Sequence, residues 1–103
     1  MFVSGQGPVN PETGTMPDAF KDQVRQTLSN VRTILDAAGS SLEDVVKVNA
    51  YITELTRFAE FNEVYREFFT QDQPARTTVA TALLGILVEV DCIAQLSDSR
   101  DGG

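Results

Sequence analysis

Ala75-Arg76-Thr77-Thr78-Val79-Ala80-Thr81 is followed, after a short connection through Leu83-Leu84-Gly85, by Ile86-Leu87-Val88-Glu89-Val90-Asp91-Cys92-Ile93. Both runs are rich in the β-branched and apolar residues that suit a pleated, half-buried surface. They predict strands at about 75–81 and 86–96, and the tight connection predicts antiparallel neighbours. Side chains alternate between faces, so Arg76, Thr78 and Ala80 share one side of their strand, and Leu87, Glu89, Asp91 and Ile93 share one side of theirs. Strands this apolar rarely carry a charge inward unless it is paired or used. A guanidinium can grip a carboxylate through two parallel hydrogen bonds, and a nearby carboxylate can move protons. Arg76 and Glu89 therefore point either to a small anionic substrate with acid–base chemistry or to a solvated pair on an open sheet face. The pattern alone does not separate the two.

Outward from this pair, Pro74 closes the connection from an amphipathic helix predicted over 57–69. Thr56 is its candidate cap, and Phe58, Phe61, Tyr65 and Phe68 form its apolar face. Before it, 45–53 alternates over Val46, Val48, Ala50 and Ile52 and reads as a strand. Ser41-Leu42-Glu43-Asp44 has the spacing of a capping box for a single turn. From about 18 to 38, Phe20, Val24, Leu28, Val31, Leu35 and Ala38 recur at helical spacing. Asp18 is the candidate cap of that helix, and Gly39 stands where a left-handed cap belongs. Phe2-Val3-Ser4 is a short strand leading into the turn-rich 5–14. Two βαβ-like halves result, an α+β sandwich with both helices on one face of a single mixed sheet. A domain over 1–96 and a polar, disordered tail over 97–103 are expected.

Composition narrows the chemistry. The 103 residues contain no His and one Cys, which leaves no Ser-His or Cys-His nucleophilic pair, no His-ligated metal and no internal disulfide. Cys92, inside the apolar strand, reads as a small core residue. A formal charge of −7 is the wrong sign for gripping a phosphate backbone, so no nucleic-acid partner is expected. The opening Met1-Phe2-Val3-Ser4-Gly5 has no basic, apolar leader pattern, and no run approaches the roughly 20 apolar residues of a bilayer span. A cytoplasmic protein without membrane association is the expectation. Asn62, four residues after Phe58 and three before Tyr65, borders the apolar face of its helix. It serves there either as a helix-edge amide bonded to backbone or as a group that fixes a loop or binding residue from behind.

Five segments occur in order: Val3-Ser4-Gly5-Gln6 with Pro11-Glu12-Thr13-Gly14, Ala37-Ala38-Gly39-Ser40 with Asp44-Val45-Val46-Lys47, Phe61-Asn62-Glu63-Val64-Tyr65 with Phe68-Phe69, Pro74-Ala75-Arg76-Thr77, and Val88-Glu89-Val90. In this the chain closely resembles the YjgF/YER057c/UK114 family, also called Rid, the reactive intermediate deaminases, from residue 2 to about residue 96. The resemblance implies a chorismate-mutase-like α+β fold, assembled as a homotrimer with clefts between subunits. It implies hydrolysis of reactive enamines and imines such as 2-aminoacrylate and 2-iminobutyrate to 2-oxo acids and ammonia, without cofactor or metal. By position, Arg76 matches the arginine that holds the substrate carboxylate, and Glu89 the acid that positions or activates water. Ser4 and Gly5 match the loop lining the cleft, Asn62 the helix asparagine, and Thr78 a position whose backbone faces the ligand.

This chain departs from the family pattern in three places. Family members begin earlier, so the N-terminal strand is expected to be short and an aromatic cover of the cleft is not among these residues. Thr78 stands where many deaminases carry Cys, and Leu83-Leu84-Gly85-Ile86 replaces a longer loop that often holds Arg and Pro. The alternatives to a general deaminase are a trimeric module that binds small carboxylates or acts as a holdase without turnover, and a pathway-specific deaminase of larger substrates. A ribonuclease or translation inhibitor is also attached to the family name, but the charge and the absence of His give it little support.

Overall fold

Helix α1, Phe20–Ala37, buries Phe20, Val24, Leu28, Val31 and Leu35, the face marked by the sequence spacing. The computed structural model describes residues 1–96; the tail expected to be disordered, 97–103, lies outside them. The helix begins later than predicted, with Ala19 extended at its N-cap and no side-chain cap from Asp18. The buried Gln23 explains the shift: its Nε2 donates to the Pro17 carbonyl at 2.9 Å and fixes the approach to the helix. At the far end Gly39 takes φ 78°. Ser40 N–H then reaches the Leu35 carbonyl at 2.9 Å and Gly39 N–H the Asp36 carbonyl at 3.1 Å, the paired bonds of a Schellman cap.

A 3₁₀ turn, Leu42–Asp44, leads into β2, Val45–Ile52. Ser41 Oγ here meets Asp44 Oδ2 at 3.3 Å, so the predicted box is a side-chain pair rather than a backbone cap. An irregularity in β2 between Val45 and Lys47 changes the predicted alternation: Val45 is buried and Val46 is exposed. Beyond it Val48, Ala50 and Ile52 face the core as expected. A second 3₁₀ turn, Leu55–Arg57, precedes α2, Phe58–Phe68, and takes up the place of the predicted Thr56 cap. Phe61, Val64 and Tyr65 are the buried residues of α2. Phe58 is 39% exposed, which corrects its expected burial.

Strands β3, Ala75–Ala80, and β4, Val88–Ala94, form where predicted but are not neighbours. With β1, Phe2–Gln6, the strand order is β1-β4-β2-β3. β3 pairs parallel to β2, from Lys47 opposite Ala75 to Ile52 opposite Ala80. β4 runs antiparallel to both β1 and β2. The expected β3–β4 hairpin is therefore replaced by a crossing over the end of β2. Thr81 N–H bonds the Ile52 carbonyl at 2.9 Å, and Thr53 N–H bonds the Leu87 carbonyl at 3.1 Å. The seven residues between β3 and β4 are enough to step across one strand. A parallel β2–β3 pair needs a helical crossover, and α2 supplies it. The result is the expected α+β sandwich, with both helices on one face of a mixed four-stranded sheet. Among the described residues no helix is long and apolar enough to cross a membrane.

Candidate functional site

On β3, Arg76 stands opposite Val48 and Thr78 opposite Ala50, both core-facing residues of β2. Arg76 thus rises toward the helices, at the edge of the sheet, where it meets α2. Its Nη2 donates to Asn62 Oδ1 at 2.7 Å. Its guanidinium carbon lies 4.5 Å from the Tyr65 ring centroid, 5.3 Å from that of Phe61 and 5.6 Å from that of Phe58. Those distances are cation–π contacts. Helical spacing produces this wall, since 58, 61, 62 and 65 lie three or four residues apart and share one side of α2. Burial pushes the Tyr65 phenol up to about 12 against the opposing pull of Arg76, so the ring stays neutral at physiological pH. No ion pair to Arg76 occurs among the described residues. Thr78 is half-buried beside it, and its Oγ1 is buried without a hydrogen-bond partner among the described residues.

Glu89 occupies the opposite face. In β4, Val88, Val90, Cys92 and Ala94 are buried against the helices, while Glu89, Asp91 and Ile93 alternate to the other side. There Asp91 accepts hydrogen bonds from Asn49 Nδ2 at 2.9 Å and Tyr51 Oη at 3.1 Å. The Asp91 contact and burial raise the Tyr51 phenol above its usual range. Burial, aided by Asp91, raises the Cys92 thiol to about 11 and keeps it unreactive.

Ser4 and Gly5 form a bulge in β1 that brings Gly5 to Glu89: the pairing passes from Val3 opposite Cys92 to Gln6 opposite Val90, one residue more on β1 than on β4. A Cβ on Gly5 would stand 2.9 Å from Glu89 Cδ and closer still to Oε2. Any side chain at position 5 would have to push that carboxylate aside.

The six residues singled out by the sequence thus fall into two groups. Arg76, Asn62 and Thr78 assemble at the β3–α2 edge, while Ser4, Gly5 and Glu89 assemble at the β1–β4 edge. β2 separates them, and they open to opposite faces. Since neighbouring strands are about 4.8 Å apart, β3 and β4 are about 10 Å apart before the side chains diverge. Two contributors escaped the sequence reading. Helical spacing presents the aromatic rings of α2 as core packing, although their spacing with Asn62 is the available signal. Gln23 accepts a bond from Leu87 N–H at 3.0 Å and so ties the start of β4 to α1. A polar residue three positions after Phe20, on the buried face of α1, was the sign of it.

Two clefts are separate from both groups. One of about 500 Å³ lies between the ends of α1 and α2, lined by Arg32, Asp36, Glu43 and Phe68 among others. The second, about 390 Å³ and mostly apolar, follows α1 along Val9, Pro11 and Ile34. Neither includes Arg76 or Glu89.

The fold and the split site define a small α+β chain that offers an arginine and a carboxylate at separate edges of one sheet. The chain belongs to the Endoribonuclease L-PSP family, whose model matches residues 1–96. It is 44% identical over 97 residues to the RutC family protein PH0854 of Pyrococcus horikoshii, covering 91% of this chain and 77% of that protein. It is 43% identical over 99 residues to Escherichia coli TdcF, which is named as a candidate reactive intermediate deaminase, with 91% and 77% covered. The crystal structure of E. coli TdcF with bound serine superposes with a TM-score of 0.86 at 43% identity, over 90% of this chain and 77% of that one.

Proposed function

We propose that this protein is an imine and enamine deaminase that hydrolyses small 2-imino acids, of the 2-aminoacrylate and 2-iminobutyrate type, to 2-oxo acids and ammonia, at sites formed between subunits of a homotrimer. The observation that carries this reading is Arg76, a half-buried guanidinium with one neutral hydrogen-bond partner and no carboxylate among the described residues. A guanidinium has five N–H donors, so Arg76 retains enough to take a substrate carboxylate bidentately. TdcF is named as a candidate deaminase, and its structure with serine holds a small amino acid, a carboxylate of the proposed size.

The remaining chemistry needs few parts. An imine carbon is electrophilic, and more so when its nitrogen is protonated. Glu89 accepts a proton from the attacking water, the oxygen bonds to that carbon, and the tetrahedral intermediate forms. Returning the proton to nitrogen lets the C–N bond break: ammonia leaves, the hydroxyl gives its remaining proton to Glu89, and the 2-oxo acid is left. Proximity supplies much of the rate. Ser4 and Gly5 line the Glu89 side, Thr78 offers backbone on the Arg76 side, and this route uses no cofactor or metal.

Separation of the two groups supports the assembly. A substrate of three or four carbons cannot span from Arg76 to Glu89 across β2 and through the sheet, so a second copy must bring its own edge. Val79 and Phe2 are exposed, and they belong with the sheet rather than with the helical layer. Cyclic closure would cover such surface. Light scattering should return about three times the 11.2 kDa chain mass. A stable monomer would remove the inter-subunit site.

Activity is tested by generating 2-iminobutyrate in situ with a threonine dehydratase and following its decay beside a semicarbazide trap. Wild-type protein should accelerate decay, and Arg76→Ala and Glu89→Gln should each lose most of that acceleration. A folded trimer with no effect on decay would favour the alternative reading, a module that binds small carboxylates without turnover.

A further inference from the structure

We propose that α2 is a charge-neutral holder for Arg76, in which Asn62 and the rings of Tyr65, Phe61 and Phe58 fix the guanidinium while leaving its charge uncompensated for an incoming carboxylate. This rests on the deaminase reading for its ligand, but the holder itself is a property of the free protein. The chain carries 15 acidic residues against 8 basic ones, yet each contact described for this guanidinium is neutral. A carboxylate at position 62 would orient Arg76 equally well, because aspartate matches asparagine in size and presents the same Oδ1. It would also occupy the donors and cancel the charge that an anionic substrate needs, so the amide is the feature that keeps the site open.

The rings supply the rest of the stabilisation. A guanidinium brought out of water without a counter-ion is unfavourable unless something else stabilises the cation. Aromatic faces do this without supplying a formal charge. Tyr65 is the nearest ring and is only 3% exposed. It is itself held in a stack, 5.7 Å from Phe61 and 4.6 Å from Phe69 between ring centroids. The plane under Arg76 is therefore fixed by core packing. The Tyr65 hydroxyl has no hydrogen-bond partner among the described residues, so the ring and not the hydroxyl is the working part. Asn62 and Tyr65 are positioning residues, since both act through Arg76.

Two measurements test the holder. The first is the Nε–Hε signal of Arg76 in the ¹⁵N spectrum of the free, assembled protein, assigned by its loss in Arg76→Lys. It should be displaced by ring currents and protected from exchange, persist in Tyr65→Phe and return to the solvent-exposed position in Tyr65→Leu. Should Tyr65→Leu fail to fold, Phe58→Leu at the more exposed ring should still move the signal part of the way. An unshifted, rapidly exchanging Arg76 signal in the wild type would overturn the holder and leave the deaminase reading to stand on activity.

The second measurement is pyruvate affinity by titration. Asn62→Asp should keep the displaced Arg76 signal and an unchanged or higher Tm, yet bind pyruvate at least about tenfold more weakly, because the introduced carboxylate competes for the same donors. Asn62→Ser should weaken binding only a few-fold and loosen the signal. Wild-type affinity in Asn62→Asp would refute the requirement for neutrality. A wild type that shows the displaced signal and takes up no pyruvate would refute the carboxylate reading while the orientation by α2 stands.

Discussion

Arg25 and Arg76 are the same side chain in opposite electrostatic settings. On the outer face of the helical layer, Arg25 donates from Nε and Nη2 to both oxygens of Glu67, at 3.0 and 2.9 Å, and from Nη1 to Asp22 at 3.1 Å. Its charge is matched twice over by groups that solvent also screens. Beside it, Lys21 and Glu63 tie the same two helices together. Arg76, half-buried on the inner side of α2, has rings and one amide instead. Arg25, which joins α1 to α2, is given carboxylates, and Arg76 is given none among the described residues. A count of ion pairs would rank Arg25 as the more important residue; the uncompensated one is where function is expected.

Exchange of charge for geometry should break this contrast most sharply. Arg76→Lys keeps the cation but loses the planar fork and the stacking, and should lower kcat/KM for 2-iminobutyrate by about a hundredfold. A near-wild-type Arg76→Lys would mean that charge alone suffices.

Next is the buried layer beneath Arg76, which should respond to alkaline pH. The Cys92 thiol is raised from 9.0 to about 11 by burial. Below pH 9 both folded and unfolded chains keep this proton. Between pH 9 and 11 the unfolded chain loses it first, so stability falls as pH rises, by about 2 kcal/mol over the window. Tyr65, raised from 10.0 to about 12, extends the loss upward. Urea midpoints measured from pH 8 to 11 should show the decline, and Cys92→Val should flatten its lower part. A wild-type curve level to pH 11 would contradict the burial of both groups.

Gly5→Ala probes the other half of the site. Its methyl group would collide with the Glu89 carboxyl, which must swing aside. A roughly tenfold drop in kcat with little change in KM is expected, since the proposed carboxylate grip is at Arg76 and not at this edge. A rise in KM alone would place substrate binding at this edge instead. The smallest effect belongs to Arg25→Met, whose exposed pairs should leave Tm within about 2 °C of wild type and turnover unaltered.

The fold was largely legible because periodicity survives burial. The apolar spacing of α1, the glycine at its end and the β-branched runs each marked a real element. Strand order was not legible. A short connection between two strands usually makes a hairpin, but Thr81 and Leu87 bond to the end of β2, and the chain steps over it. That error concealed the separation of Arg76 from Glu89. Site residues can be named from resemblance and from charge in an apolar run, whereas which of them touch one another cannot. Neither the bulge that brings Gly5 to Glu89 nor the ring wall on α2 is a local pattern, because each depends on which strand lies beside which. Phe58 shows the same limit: it shares the apolar side of α2 but is partly exposed, with Arg76 against its ring.

The strand order also governs when this protein can become itself. Among the described residues β4 is the last strand in chain order, yet it lies between β1 and β2 and is the only neighbour of β1 in the described sheet. As the chain emerges from the ribosome, α1, α2 and the parallel β2–β3 pair can form, while β1 must wait, unpaired, for residues 88–94. Closure of the described sheet, and with it the meeting of Gly5 and Glu89, therefore waits for β4, the strand of longest sequence separation from β1.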